Sequence, residues 1–371
     1  MNLHRAVSTY RGHTIPHFKL IERRNIWFAF SGVLILLSLI GLFWRGLNYS
    51  IDFTGGAQIE YTVLTPVTAA EVQATMADAG REDAQVQLIN GGQQVAIKTS
   101  SLSADGTSQA LLTLLAKQAG ITTADINVKD VGPTWGGEIS KKAVRGLFIV
   151  LAAIALYISL RFEWKMAVGA MVALVHDVVI TAGVYALVGR EVTPSTVIAI
   201  LTILGFSLYD TVEIYDKIKE NTDSSALVSR LGYDGVVDLS LNQVLMRSVN
   251  TSLVVLLPIL SLLLFGGFTL KDFAFAMFIG VAIGAYSSIF IAAPVLTILK
   301  GRERRYQQLE ARRSVRAGSA QKAAVAAGAT AAVAETARTS DAAATRVTAR
   351  QGPAKPRPKS KKRPPAKRKR R

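Results

Sequence analysis

Cysteine is missing from all 371 residues, which excludes a disulfide framework and any thiolate metal site. Charge is scarce as well. Asp, Glu, Lys and Arg make up 19% of the chain against 50% hydrophobic residues, and they are thin in several long runs. No aromatic residue follows Tyr306, so the C-terminal part has no side chains on which nucleic-acid bases could stack. By composition and length this is a membrane protein.

Six apolar runs approach or exceed the roughly 20 residues needed to cross a 30 Å hydrocarbon core. They are 26–44, 143–160, 166–188, 195–215, 249–265 and 273–299. The first lies too deep in the chain, and lacks the small-residue cleavage pattern, for a removed signal peptide, so it reads as a retained span. Arg5, Arg11, Lys19, Arg23 and Arg24 precede it, Arg161 and Lys165 fill the turn after the second run, and Lys217, Lys219 and Arg230 follow the fourth. The opposite side has only Arg190 and Lys271 in its short loops. The positive-inside rule therefore predicts both termini in the cytoplasm. The organisation that follows is a cytoplasmic N-terminus over 1–25, a first span over 26–44, an extracytoplasmic domain over 45–140, a five-helix bundle over 141–299 and a tail over 300–371.

The long segment between the first two runs patterns as strand (58–64), helix (68–79), two strands (85–89 and 93–99), helix (103–118) and strand (125–131). Thr68 with Glu71 forms a capping-box signature, Gly80 stops that helix, and Asn90-Gly91-Gly92 signals a hairpin. A βαββαβ order predicts a ferredoxin-like α+β domain inserted into a polytopic α-helical membrane protein.

The tail is different. Residues 300–371 hold 22 Lys or Arg against 4 Asp or Glu, and the Pro, Lys and Arg tract after 350 has no apolar face, so disorder is expected. Its basic residues suit anionic lipids or the ribosome, at about 1 kcal/mol each near a charged leaflet. A solvated tail with no partner is the plain alternative.

Few polar groups fall within the runs, and those few are the candidate site. Asp210 lies about 15 residues below the outer end of the fourth run, roughly 22 Å down a helix. A carboxylate there costs at least about 2.5 kcal/mol, which makes a partner or a task its default explanation. Arg247, at the cytoplasmic start of the fifth run, is within reach of that level and is predicted to pair with it, the alternative being that it snorkels to lipid phosphates. His176 and Asp177 sit at the centre of the third run, His176 reading more simply as a neutral imidazole bonded to a neighbouring helix. Glu213 shares the helical face of Asp210 but reads, with Asp216, Lys217, Lys219 and Glu220, as the solvated end of that helix. Asn250, Thr251 and Ser252 add polar groups one turn above Arg247. Gly280 and Gly284 form a small-residue stripe expected to pack within the chain, and Pro258 and Pro294 are expected to kink the last two spans. No metal or cofactor is expected.

Several segments together carry a resemblance. They are Ile51-Asp52-Phe53-Thr54-Gly55-Gly56 after the first run, Val131-Gly132-Pro133-Thr134 before the second, and Arg161-Phe162-Glu163-Trp164 with Ala173-Leu174-Val175-His176-Asp177 around the third. In the fourth they are Gly205-Phe206-Ser207-Leu208-Tyr209-Asp210-Thr211-Val212, in the fifth Arg247-Ser248-Val249-Asn250-Thr251-Ser252, and in the last Gly284-Ala285-Tyr286-Ser287-Ser288-Ile289-Phe290. With these the chain, over about 20–300, resembles the SecF family of bacterial protein export. Glu213 departs from the family pattern, where apolar residues are usual, and the basic tail lies outside it.

The resemblance implies a multi-pass protein of the bacterial cytoplasmic membrane that works with SecD beside the SecYEG channel and uses the proton gradient to draw preproteins outward late in translocation. It makes Asp210 a proton carrier, Arg247 its switchable counter-ion and Asp177 with His176 relay groups. Asp52, Gly55, Gly56, Asn250 and Thr251 are further motif positions. No enzyme activity is implied. An intramembrane aspartyl protease, suggested by Tyr209-Asp210, lacks a matching second motif at Leu174-Val175-His176-Asp177. A stand-alone proton-coupled efflux transporter of the same superfamily is the runner-up, although it normally has twice as many spans.

Overall fold

Six helices among the described residues are long and apolar enough to cross a membrane. The computed structural model describes residues 15–64, 67–89, 92–102, 108–309, 311–315 and 319. The basic tract of the tail, Arg5 and Arg11, part of the turn at Asn90-Gly91-Gly92 and the start of the helix expected over 103–118 lie outside these.

The membrane helices are longer than their apolar middles. Helix α1 (Arg24–Ile40) runs into a π turn (Gly41–Arg45). Helices α5 (Pro133–Arg161), α6 (Trp164–Val188) and α7 (Pro194–Asp223) follow the inserted domain. Helix α5 begins well before position 143 because Pro133 takes the N1 position, where its missing N–H costs nothing. Helix α8 (Ser225–Phe265) begins far before position 249 and is broken at Gly232, whose φ of 74° and ψ of 171° only glycine adopts readily. Pro258 lies inside it. Helix α9 (Phe268–Ser287) passes through a second π turn (Ser288–Ala292) into α10 (Ala293–Gly301), so that Pro294, which has no N–H to give, falls at a local change of helix type.

Small residues set the closest approaches. A Cβ on Gly183 of α6 would collide with the backbone and side chain of Ser38 on α1. Gly280 and Gly284 of α9 lie against Ile203 and Ser207 of α7, so this stripe is an internal packing face.

The inserted domain has the expected element order: β2 (Gly56–Thr62), α3 (Ala69–Asp78), β3 (Gln85–Ile89), β4 (Gln94–Thr99), α4 (Ser108–Ala119) and β5 (Asn127–Val131). The sheet runs β3-β4-β2-β5 with every neighbour antiparallel. Ile59 and Ile97 from the central strands bury against Val72 and Met76 of α3 and Leu115 of α4. The capping box forms in full, and the bonds from Thr68 hold the Glu71 carboxyl below its usual range.

Three devices join this domain to the helix ends. Strand β1 (Asn48–Tyr49) pairs in parallel with β6 (Glu191–Val192), the short link between α6 and α7. The one-turn helix α2 (Ile51–Thr54) ends at Gly55 and Gly56, with φ of 78° and 121°, and a Cβ on Gly56 would lie 2.7 Å from the Thr99 carbonyl oxygen. Phe53 of that turn joins an apolar cluster with Tyr185, Val192, Ala199 and Ala276. Ion pairs surround it: Lys98 with Glu191 at 3.0 Å, Lys129 with Asp52 at 2.7 Å and Arg190 with Asp272 at 2.7 Å. Burial pushes the Glu191 carboxyl up, and Lys98 pulls only part of the way back.

The contact between α1 and α6 gives a paired test. Gly183→Ala should lower thermal stability in detergent, since overpacking costs about 1–3 kcal/mol and exceeds the gain in helix propensity. Gly146→Ala on α5, where nothing lies within 4 Å of the new methyl, should not lower it. Equal melting temperatures for the two would mean that α1 is not held at this contact.

Candidate functional site

Asp177 and Asp210 are the least exposed acids among the described residues of the helix bundle, and their surroundings differ. Asp177 on α6 is 1% exposed and is held by three groups. Its Oδ2 accepts from Ser207 Oγ of α7 at 2.7 Å and from Ser287 Oγ of α9 at 2.9 Å, and its Oδ1 lies 3.0 Å from His176 Nδ1. Nearby, Thr211 and Ser288 exchange a hydroxyl bond at 2.9 Å, and Ser288 donates to the Ser207 carbonyl at 3.2 Å. One polar knot therefore ties α6, α7 and α9.

His176 continues it outward. Its ring centre lies 6.2 Å from that of Tyr286, whose hydroxyl reaches Ser31 Oγ and the Trp27 carbonyl on α1. The bond to Asp177 on its own helix replaces the bond to a neighbouring helix suggested by the sequence. Its Nε2 has no protein partner among the described residues. His176 also lines an apolar crevice of about 920 Å³ bordered by α1, α5, α6 and the stretch from Ile291 to Val295, with Val168, Val172 and Val175 among its lining residues.

Asp210 on α7 is 2% exposed, and Ser248 Oγ of α8 donates to its Oδ2 at 2.6 Å. It has no ion pair among the described residues. Arg247, expected to be its counter-ion, instead pairs with Glu213, one turn further along α7. This corrects two readings: the guanidinium is committed to a carboxylate other than Asp210, and Glu213 is not a solvated helix end, since its side chain is only 9% exposed. The reason is rotational. Residues three apart on a helix share a face, so a long side chain from α8 reaches either carboxylate, and the facing of α7 against α8 turns Asp210 to Ser248 and Glu213 to Arg247.

Below this pair opens a polar vestibule of about 510 Å³, lined by Tyr209, Glu213, Asp216, Lys217, Gln243 and Arg247 among others. Asp216 is paired with Arg161 at 3.1 Å across to the end of α5. Thr251 turns its hydroxyl back to the carbonyls of Arg247 and Ser248 at 3.0 and 2.9 Å, which fixes that turn of α8, and Asn250 Oδ1 has no protein partner among the described residues. Asp52, Gly55 and Gly56 stand apart at the domain junction, where Asp52 takes the ammonium of Lys129.

Sequence reading missed the parts of Ser207, Ser248 and Ser287. Neighbouring positions on a helix point about 100° apart, so neither the adjacency of Ser248 to Arg247 nor the spacing of Ser207 from Asp210 signals which carboxylate each hydroxyl reaches. Chemically, Asp177 is a fully bonded carboxylate that fastens helices, whereas Asp210 is a lightly bonded one with a cation close by on another acid.

Comparison with known proteins agrees over most of the chain. The family model described as Protein export membrane protein SecD/SecF, C-terminal, matches residues 112–302, and the SecD/SecF GG Motif matches residues 40–67. Proteins named Protein translocase subunit SecF are similar throughout: that of Streptomyces coelicolor is 39% identical over 83% of this chain and 83% of its own, that of Mycobacterium tuberculosis 40% over 77% and 67%, and that of Pseudomonas aeruginosa 36% over 74% and 88%. A crystal structure of SecDF, a translocon-associated membrane protein from Thermus thermophilus, superposes with a TM-score of 0.71 at 35% identity, and SecDF in a super-membrane-facing form with 0.58 at 33%. These cover 77% and 80% of this chain but only 39% and 40% of the SecDF chains, so the chain spans about two fifths of their length. A multi-pass helical architecture, the GG turn and the intramembrane carboxylates all fall within the matched regions, and the chain belongs to the SecF family of protein translocase subunits.

Proposed function

We propose that this protein, as a SecF-type subunit of the Sec accessory complex, works with a SecD-type partner beside the SecYEG channel and draws preproteins outward late in translocation at the expense of the proton gradient. The observation that carries the reading is Asp210: a carboxyl group buried in a span, bonded to one neutral hydroxyl and one turn from a guanidinium that could turn to it. Moving one charge through about 100 mV is worth roughly 2.3 kcal/mol, which biases two conformers about fifty-fold. Asp210 is the proton carrier in this scheme, Arg247 its alternating counter-ion, and Asp177 with His176 a relay or a pivot. The efflux-pump alternative has no observation in its favour here.

In the same reading the βαββαβ domain is of the ferredoxin-like type and lies outside the cytoplasm, both termini lie inside, and the basic tail meets anionic lipids or the ribosome. Support comes from the strand order, the clustering of the Arg and Lys residues of 19–24, 161–165 and 217–230 at the helix ends away from the domain, and the charge of the tail.

Asp210→Asn should abolish the gradient-dependent completion of a stalled preprotein intermediate in inverted membrane vesicles, while Asp210→Glu keeps a fraction of it. Full completion by the Asn variant at matched complex levels would reduce Asp210 to a helix-pairing group. Co-purification in mild detergent should bring down a SecD-type protein.

The native absence of cysteine makes topology simple to test. Single cysteines at the exposed positions Asp78 and Gln85 should react with a membrane-impermeant maleimide in intact spheroplasts, and reaction only after lysis would reverse the orientation. Removing residues 317–371 should leave membrane insertion intact and weaken salt-sensitive association with anionic vesicles or ribosomes. Unchanged binding to both would leave the tail a passive extension.

A further inference from the structure

Glu213 is the group that the scheme above leaves without a task. It is an acid near the inner end of a span, almost wholly buried, whose oxygen takes the guanidinium of Arg247, and it lies between Asp210 and the polar vestibule. A carboxylate buried only to neutralise an arginine gains little, because Glu213 loses its hydration on leaving water whereas Arg247, 66% exposed, is already solvated. A carboxylate one turn from a second carboxylate, with a single mobile cation serving both, is a different device.

We propose that Glu213 is the inner proton acceptor of this protein: it receives the proton that Asp210 releases and passes it to the vestibule, while Arg247 moves between the two acids. The inference deepens the reading of Asp210 as a carrier and rests on it. Carboxyl groups three residues apart on one helix project from Cβ atoms about 5–6 Å apart, within the span of one bridging water. In the structure Arg247 is on Glu213 and Asp210 has only the Ser248 hydroxyl. That is one half of the cycle, with the proton on Asp210 and the charge on Glu213. The O–H bond of Asp210 then breaks and one forms on a Glu213 oxygen, so Asp210 becomes the anion and Glu213 neutral. Arg247 follows the negative charge to Asp210. Neutral Glu213 gives its proton to water in the vestibule, and its restored charge draws Arg247 back once Asp210 is protonated again from the outer side. Each turn moves one proton, and between release from Glu213 and reprotonation of Asp210 the two carboxylates share the one guanidinium.

The groups that face Glu213 set the conditions for this. From α8 only Arg247 is charged, with Gln243 beside it; from its own helix come Tyr209, Asp210, Asp216 and Lys217. Asp216 is held by Arg161 and Lys217 by Glu220, so Arg247 is the cation left to alternate.

The experiment uses the whole complex in inverted membrane vesicles, where the bath sets the pH on the cytoplasmic face. Glu213→Gln keeps the size of the side chain and an acceptor oxygen for Arg247 but cannot take a proton. It should lose most of the gradient-dependent completion of a stalled preprotein, keep the ATP-driven part, and retain wild-type thermal stability. Glu213→Asp should keep a measurable fraction, with its dependence on bath pH shifted from that of the parent. Wild-type completion by the Gln variant, or equal damage by Gln and Asp with no shift in pH profile, would overturn the inference. Asp210→Asn in the same assay separates the two claims: loss there with an unaffected Glu213→Gln removes only Glu213, whereas full activity of Asp210→Asn removes the carrier reading itself.

Discussion

Everything in the bundle follows from one constraint: a carboxylate in a hydrocarbon layer must find its donors inside the protein, since water is not there to supply them. Asp177 meets it completely. Two serine hydroxyls from two other helices and an imidazole from its own give both of its oxygens a partner. That satisfaction fixes how α6, α7 and α9 face one another, and with them the close approach of Gly280 and Gly284 to α7. Asp210 meets the same constraint by a single hydroxyl. The contrast separates two settings of one residue type: Asp177 is bonded to three side chains, and Asp210 to one.

The neighbouring glycines and serines follow from the same constraint. Side-chain hydroxyls are short, so a serine can donate to a carboxylate on the next helix only if the backbones come close. Close approach requires small residues at the crossing, which is why Ser207, Gly284, Ser287 and Ser288 fall together. Larger residues there would separate the helices and leave Asp177 without its donors, a loss of the kind that costs far more than the packing itself.

Local chemistry was legible in the sequence and rotation was not. Thr68 and Glu71 announce a capping box because both partners lie on the same turn, and the βαββαβ order is written in alternation and turn residues. The six spans were legible as apolar runs, yet α5 and α8 extend well beyond theirs, because a helix does not end where the hydrocarbon does. The partner of Arg247 could not be read. Asp210 and Glu213 occupy one face of α7, and choosing between them takes the rotation of α7 against α8, a tertiary quantity that spacing along one helix does not encode. The same limit explains why Ser248 was passed over although it adjoins Arg247 in the chain.

The junction with the inserted domain is tied directly to the helix that carries Asp210 and Glu213. Both residues ride on α7, which starts at Pro194, immediately after β6 and the Thr193 cap. Strand β6 is hydrogen-bonded to β1, and β1 leads through the Gly55–Gly56 turn into β2, a central strand of the inserted domain. Lys98 on a neighbouring strand grips Glu191 of β6 directly. One short strand pair, one ion pair and the Phe53 cluster therefore join α7 to the sheet with no long segment between them. Gly55 and Gly56, with φ of 78° and 121°, hold conformations that glycine adopts without strain, and so let the chain turn from α2 into β2.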